Sequence, residues 1–464
     1  MGNKFNSVTK FGYLIIAALF FIFSYHALSL NPNIPQGDQW VWVKHVLIPF
    51  YENEKTFIES VLYEYEPLSH SHILTLITFT LNSQFLSLNL NLDTVIGLIS
   101  IGVLIFFFSR LIAKTESNAS PVTRSVATVL SALILMSFSS TSTLSWSLIT
   151  FEFLYLMIAV MYAYGFIKYI KRELNHSFII FLTFSYFLGD AMSVAMILAS
   201  VAIGLLYISI NKANYIRFFI FLTSLALLIY LSFNLEIFQG GRSHSSSSKI
   251  DALRYIAQNW ELSLEMFING FSRGYFNLPS AKIPLFNGLR LRDFSIILGI
   301  LTLCSALTFL LFSFFNKKNS NTLINNDSDN WFCFLLMAFS AVCIFGVILT
   351  RLIQFDINYI FGQRYVRFAS IFAIATLILY IKSPFPAKAR FAFNSVFISC
   401  IAINLFLAHF SFFVMSGYSK NYFKIREAAI QNGSFGEHHR RCSKGYCDIS
   451  IEFLKENNLN QFAN

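Results

Sequence analysis

Apolar residues in this chain come in long unbroken runs, and the charged residues gather in the gaps between them. Runs of about 20 apolar residues are long enough to cross a bilayer as helices. They fall near 11–30, 94–112, 125–143, 147–167, 218–237, 294–315, 332–350 and 391–415, with a shorter one at 368–382. A further run, about 177–209, is broken at Gly189-Asp190 and reads as a tight helical hairpin. The pattern predicts an all-α polytopic membrane protein with about eleven transmembrane helices. The transmembrane domain covers 1–415, with a first outer loop at 31–92 and a long outer segment at 238–292, and a tail follows at 416–464.

Charge at the gaps sets the expected orientation. Lys4 and Lys10 precede the first run, and Lys114 with Arg124, Lys168 with Lys171 and Arg172, Lys212 with Arg217, Lys317 with Lys318, and Lys382 with Lys388 and Arg390 mark alternate turns. Cytoplasmic loops are the ones rich in lysine and arginine, so the amino terminus is expected inside and the carboxyl terminus outside. Ile73–Leu90 reads as a re-entrant or interfacial helix. Within 238–292, Ile250, Leu253, Ile256, Trp260 and Leu264 recur at helical spacing, as in a helix lying on a bilayer surface.

Composition agrees. Of 464 residues, 55% are hydrophobic and only 12% charged, and mean hydropathy is +0.59. A soluble globule carries about a quarter charged residues, so that class is excluded. The net charge of +10 fits basic loops on an anionic bilayer, and no nucleic-acid partner is inferred from it. Cys304, Cys333, Cys343 and Cys400 lie in apolar runs as small core residues. Cys442 and Cys447 close a short loop in the tail; two cysteines placed outside read better as a disulfide than as zinc ligands beside His438 and His439.

The candidate chemistry concentrates in Asn31–His72, which holds six of the 24 acidic residues: Asp38, Glu52, Glu54, Glu59, Glu64 and Glu66. Asp38 precedes Trp40 and Trp42. It reads either as the N-cap of an interfacial helix beginning at Gln39, anchored by those tryptophans, or as a general base at the bilayer surface. Both readings can hold together. Glu64 and Glu66 are the best placed of the remaining acids. With the orientation above, His26, Asp38, Glu152, Asp190, Arg351, Asp356, Arg364, Arg367 and His409 all fall in outer loops or the outer parts of spans. Charge at membrane depth costs about 3 kcal/mol or more and commonly lines a polar cavity; Glu152 either does so or snorkels to the interface. A cavity with carboxylates and arginines suits a lipid-linked phosphorylated substrate, since a guanidinium forks two hydrogen bonds to a phosphate. Asp327-Ser328-Asp329 spells the Asp-x-Asp pattern of soluble sugar transferases, but on the expected cytoplasmic side. No P-loop, dinucleotide fingerprint or Gly-x-Ser-x-Gly is present, so no nucleotide site is expected.

Many spans and an acid in the first outer loop resemble the membrane glycosyltransferases of the GT-C class, which use polyprenyl-phosphate sugars as donors. A looser resemblance is to bacterial membrane proteins with a His-Asn-Glu-His-Arg-like motif after that loop. Here the stretch reads Ser69-His70-Ser71-His72-Ile73, and only His72 matches. Arg364-Tyr365 is similar to an Arg-Tyr pair of those proteins, and Glu152 stands where they have a polar residue in the fourth span. In overall plan the chain resembles the serotype-converting O-antigen glucosyltransferases, which are of similar length, rich in Phe, and carry functional outer segments near the first span and in the tail.

That resemblance implies transfer of glucose or another hexose from undecaprenyl phosphate to a lipid-linked O-antigen or related polysaccharide, outside a bacterial inner membrane. Asp38 would accept the acceptor hydroxyl's proton. Arg364, with Arg367 or Arg351 and beside Tyr365, would neutralise the departing phosphate. Trp40 and Trp42 would stack on sugar; Glu66, His72, Glu152 and Asp190 would orient hydroxyls. A divalent metal is left open. The rival expectations are an O-antigen polymerase, for which Arg242, Arg254, Arg273, Arg290 and Arg292 speak, and a lipid-linked glycan flippase or transporter.

Overall fold

The computed structural model describes residues 7–36, 38–62, 73–114, 119–136, 147–211, 215–234, 249–276, 294–314, 327–351, 365–432 and 446–463. Among them there are helices and no strand. In chain order the helices are α1 (Ser7–Leu30), α2 (Asp38–Trp42), a π-helical turn Val43–Leu47, α3 (Ile48–Tyr51), α4 (Phe57–Val61), α5 (Ile73–Phe85), α6 (Asn91–Lys114), α7 (Pro121–Met136), α8 (Ser147–Phe151) and α9 (Phe153–Ile170). They continue with α10 (Phe178–Leu188), α11 (Asp190–Asn211), α12 (Tyr215–Asn234), α13 (Lys249–Gln258), α14 (Trp260–Phe271), α15 (Ser295–Phe314), α16 (Ser328–Arg351), α17 (Val366–Lys382), α18 (Ala387–Asn432) and α19 (Tyr446–Glu456).

Seven of the described helical stretches are long and apolar enough to cross a membrane: Phe11–Leu30, Asn91–Lys114, Ser147–Ile170, Met192–Asn211, Ser295–Ser313, Ser328–Leu349 and Ala387–His409. Shorter apolar helices, Pro121–Met136, Phe178–Leu188 and Tyr215–Leu231 among them, pack with these. The chain is a multi-pass membrane protein by this measure. Its outer helices turn large apolar side chains away from the protein: Phe21 on α1, Phe219 on α12, Leu301 on α15 and Phe406 on α18 are all exposed. Such a surface suits hydrocarbon and not water.

At the centre stands α17, where every residue from Val366 to Ile381 is buried. A helix apolar on all sides has no solvent or lipid face to offer, and α16, α15 and α7 surround it. Its Ser370 and Thr376 hydroxyls return to the carbonyls of Val366 and Phe372, four residues back, so neither is left unsatisfied. The charged residue within this buried stretch is Arg367, in its first turn.

The two ends of the bundle differ. One is closed by basic and acidic side chains from the ends of α9, α16 and α17, beside Arg217 of α12, which donates to the carbonyl oxygens of Tyr169 and Leu174. The other carries a small separate domain, the cap, with its own core of Ile34, Trp40, Trp42, Val46, Phe79 and Leu454 among others. The cap is built from both ends of the sequence: α2 to α5 from the first loop, and α19 from the tail. Tyr51 meets Phe453 edge to face with ring centroids 5.3 Å apart, and Asn460 bonds by its N–H to Ser87 O and by its amide to Leu88 O. The first loop and the tail therefore lie at the same end of the bundle. The helix α18 runs from Ala387 to Asn432, giving its 46 residues a length of about 70 Å.

Candidate functional site beneath the cap

The cap is fastened to the bundle by amides. Asn31 Nδ2 donates to Thr94 Oγ1 (3.0 Å) and Asn91 Oδ1 (3.2 Å), both on the first turn of α6. Asn33, held at φ 54°, accepts from the Leu90 N–H through Oδ1 at 2.7 Å. Gln39 is fully buried; its Oε1 accepts from the Gln36 N–H, and its Nε2 donates to Ser147 Oγ at the start of α8. Asn31, Asn33 and Gln39 thus tie the start of the cap to the amino-terminal ends of α6 and α8. Asp38 opens α2 directly above them, one residue earlier than the start expected from sequence; its backbone position is described.

Two sets of buried charge sit under this lid. Asp93, in the first turn of α6, is fully buried, and neither carboxylate oxygen has a hydrogen-bond partner among the described residues. One turn further along, Gly97 fixes how closely α6 meets α8. A Cβ there would lie 2.0 Å from the Thr150 carbonyl oxygen, so only glycine allows the contact. Glu152, which joins α8 to α9, forms an ion pair with Arg367 of α17 through Arg367 Nη2. Both are nearly buried, at 12% and 7% side-chain exposure. Arg367 Nε and Nη1 have no hydrogen-bond partner among the described residues, and its Cζ lies 5.5 Å from the Phe368 ring centroid. A buried guanidinium with two unused donors is equipped to receive an anion.

Trp40 and Trp42 differ from the sugar-stacking or interfacial setting expected of them. Trp40 and Trp42 are 2% and 1% exposed. They pack in the cap core, Trp42 edge to face against Phe79 at 5.7 Å, so their faces are turned to protein rather than to sugar or to a bilayer interface. The reason is the tail helix, which packs against α2 and the π-helical turn. Tyr365 stacks over Phe368 at the start of α17, with ring centroids 6.4 Å apart. Glu64, Glu66, His72, Arg364 and Cys442 lie outside the described residues. Asp190 opens α11, Arg351 closes α16 and Cys447 lies in the first turn of α19; for these the backbone position is described.

The amphipathic segment divides at Asn259. Leu253, Trp260 and Leu264 are exposed, as a surface helix requires, but the later residues enter the bundle. Ser295 donates to Asn269 Oδ1, Tyr275 bonds to Ser305 of α15, and Asn404 of α18 donates to the Tyr275 carbonyl. Ser305 and Asn404 lie well within their helices, so this segment is re-entrant rather than superficial along its whole length. It carries Arg273, 4% exposed, into the bundle, beside Gly274, which lies against Thr302 of α15 and Ala373 of α17. Sequence reading placed Arg273 in an outer loop.

At the opposite end, Lys382 Nζ contacts Asp327 Oδ2 at 2.5 Å and Asp329 Oδ2 at 3.2 Å. Ser328 Oγ donates to Glu173 at 2.6 Å, and Lys168 pairs with Glu173 at 2.9 Å. Burial alone would raise the Asp327 carboxyl, but the charge and hydrogen bond of Lys382 outweigh it and hold the group below its ordinary value. The Asp-x-Asp carboxylates are thus engaged in a structural clamp between α9, α16 and α17. Among the described residues no group of three or more His, Cys, Asp or Glu side chains is placed to hold a metal ion.

Compared with protein-family models, with curated proteins and with solved structures, the chain matches none.

Proposed function

We propose that this protein is a GT-C-like hexosyltransferase of about eleven spans, using a polyprenyl-phosphate sugar as donor and a lipid-linked O-antigen or related polysaccharide as acceptor. It would lie in a bacterial inner membrane with the cap on the periplasmic side, amino terminus in and carboxyl terminus out. The observation that carries the reading is Arg367: a buried guanidinium under the cap, paired with Glu152, whose Nε and Nη1 have no hydrogen-bond partner among the described residues. An anion whose headgroup reaches the membrane boundary while its tail stays in lipid fits that position, and a polyprenyl phosphate is such an anion.

In this reading Asp38 accepts the proton from the acceptor hydroxyl as its oxygen bonds to the anomeric carbon. The bond from that carbon to the phosphate oxygen breaks, and the polyprenyl phosphate leaves with the electron pair. Arg367, with Arg351 and Arg364, neutralises the charge that develops on the phosphate. Glu152, expected from sequence to orient hydroxyls, acts instead through Arg367 as a positioning residue. Asp93 is added as a buried carboxylate at the cap–bundle junction, and Trp40 and Trp42 are removed from the sugar-stacking role.

The test is a transfer assay on purified protein with synthetic polyprenyl-phosphoryl glucose and O-antigen glycan. Glucose on the glycan, lost in an Asp38→Asn variant that still inserts and folds, supports the assignment. Transfer that survives Asp38→Asn keeps the class and moves the base. No transfer from any polyprenyl-phosphate hexose overturns it. A second reading, an O-antigen polymerase or a lipid-linked glycan flippase, is favoured by Arg273 in the re-entrant segment, since interrupted helices and charge within the bundle are features of transporters. Chain elongation or transbilayer movement of a fluorescent lipid-linked glycan in proteoliposomes, without hexose transfer, would select it.

A further inference from the structure

The cap carries a cleft of about 570 Å³ that the reading above leaves unused. It is lined by Phe50, Tyr51, Asn53, Lys55, Thr56 and Gln84, from the end of α3, the turn that follows it, and the end of α5. The size falls within the ~300–1,000 Å³ of small-molecule sites. We propose that this cleft is a distal subsite for the acceptor glycan, holding sugar residues away from the one that reacts. The inference rests on the transferase reading and deepens it.

The chemistry of the lining favours a neutral or weakly acidic saccharide. Phe50 and Tyr51 stand nearly perpendicular, at 81° with centroids 5.8 Å apart, so between them they present apolar ring surface in two directions. The Asn53 and Gln84 side chains are exposed, and each carboxamide combines a donor pair with an acceptor, the match for vicinal hydroxyls. Asn53 is held at φ 60°, in the turn closed by the N–H groups of Glu54 and Lys55 on the Pro49 carbonyl oxygen. The single ammonium, Lys55 Nζ, also reaches the His45 carbonyl oxygen at 3.4 Å. Nearby, burial together with Lys44 and Lys55 holds His45 below its ordinary value, so it adds no cation at neutral pH. One partly engaged cation is a poor phosphate cradle, which argues for hydroxyls over a phospholipid headgroup.

Position makes the cleft relevant to the reaction. From Asp38 the chain runs helically through α2, the π-helical turn and α3 to Tyr51, a rod of roughly 20 Å at 1.5 Å per residue. The cleft is at one end of this rod and Asp38 at the other. An acceptor spanning both must be a chain of several sugars. The far wall is fixed by the tail helix, through the Tyr51–Phe453 contact.

The experiment uses the full-length protein in nanodiscs with lipid-free oligosaccharides of one, two and four repeats, released by mild acid from the source cell's surface polysaccharide. Affinity is read by saturation-transfer NMR and calorimetry for wild type, Asp38→Asn, Gln84→Ala, and a double variant adding Asn53→Gly, which tolerates the same positive φ. Affinity should rise with length in wild type and Asp38→Asn, and in the double variant the four-repeat fragment should lose at least tenfold while the one-repeat fragment is unchanged. Affinity independent of length, or unchanged in the double variant, overturns the subsite. So does displacement of the long fragment by phosphatidylglycerol headgroup at equal concentration. Length-dependent binding without any lipid-donor transfer would retain the subsite and defeat the transferase reading, so the two failures are distinguishable.

Discussion

Tyr51 and Phe453, near opposite ends of the sequence, meet edge to face at 5.3 Å and join the first loop to the tail. Phe453 is 7% exposed. Replacing it by Ala leaves a cavity between α3 and α19, with an expected cost of about 3–5 kcal/mol to the cap. Hydrogen exchange should show faster exchange in residues 38–62 and 446–463 and unchanged protection in α17. Equal loss of protection throughout would mean that cap and bundle unfold together.

The ion pair of Glu152 and Arg367 predicts a non-additive pair of variants. Arg367→Gln alone leaves a buried carboxylate uncompensated, costing about 3–5 kcal/mol. Adding Glu152→Gln should restore most of that in a thermal unfolding measurement in detergent. Arg367→Lys keeps the charge but loses the planar fork, so the protein should remain folded while hexose transfer drops at least tenfold. Full transfer in Arg367→Lys would give the arginine a structural role alone.

Asp93→Asn separates two roles for a buried acid at a helix start. An acid there is favoured by the helix dipole, which accounts for its presence without chemistry. As no described residue pairs with it, the amide should leave the unfolding midpoint unchanged or raised. Transfer should fall at least tenfold if Asp93 faces the substrate. Unchanged transfer assigns it to the helix start.

The clamp at the other end predicts a pH dependence. Asp327 is held below its ordinary value of 3.8, with Lys382 outweighing burial. Its contribution to stability is therefore complete above about pH 4 and lost as pH falls through the lowered value. The unfolding midpoint of wild type should drop over that acid range, and Lys382→Ala should flatten the drop. An identical acid profile in both would remove the clamp from the account.

What could be read from sequence was whatever has a local signature. Runs such as 94–112 and 332–350 fall inside α6 and α16, because a lipid-spanning helix must be continuously apolar and the charges that end it are neighbours in sequence. Glu152 is visible as a charge at membrane depth and Arg367 as one at the end of an outer loop, but their pairing depends on how α17 threads the bundle, and nothing near either residue announces the other. Trp40 and Trp42 look like interfacial anchors from their setting. Burial comes from a tail helix encoded at the far end of the chain. Asp93 stands just ahead of the 94–112 run, where an acid is ordinary at a helix start, and its isolation exists only in three dimensions. Arg273 was assigned to a loop because the re-entrant segment that carries it is amphipathic at its start.

The composition of the cap has a consequence in time. The first loop emerges from the ribosome almost a whole chain before α19, a delay of tens of seconds at about 5–20 residues per second. Through that interval the core around Trp40 and Trp42 is missing Ile451, Phe453 and Leu454, so those rings stay uncovered while the later helices insert. This part of the cap core is made after the described helices of the bundle. A nascent chain halted before Tyr446 is a membrane protein whose cap core lacks this share of its packing.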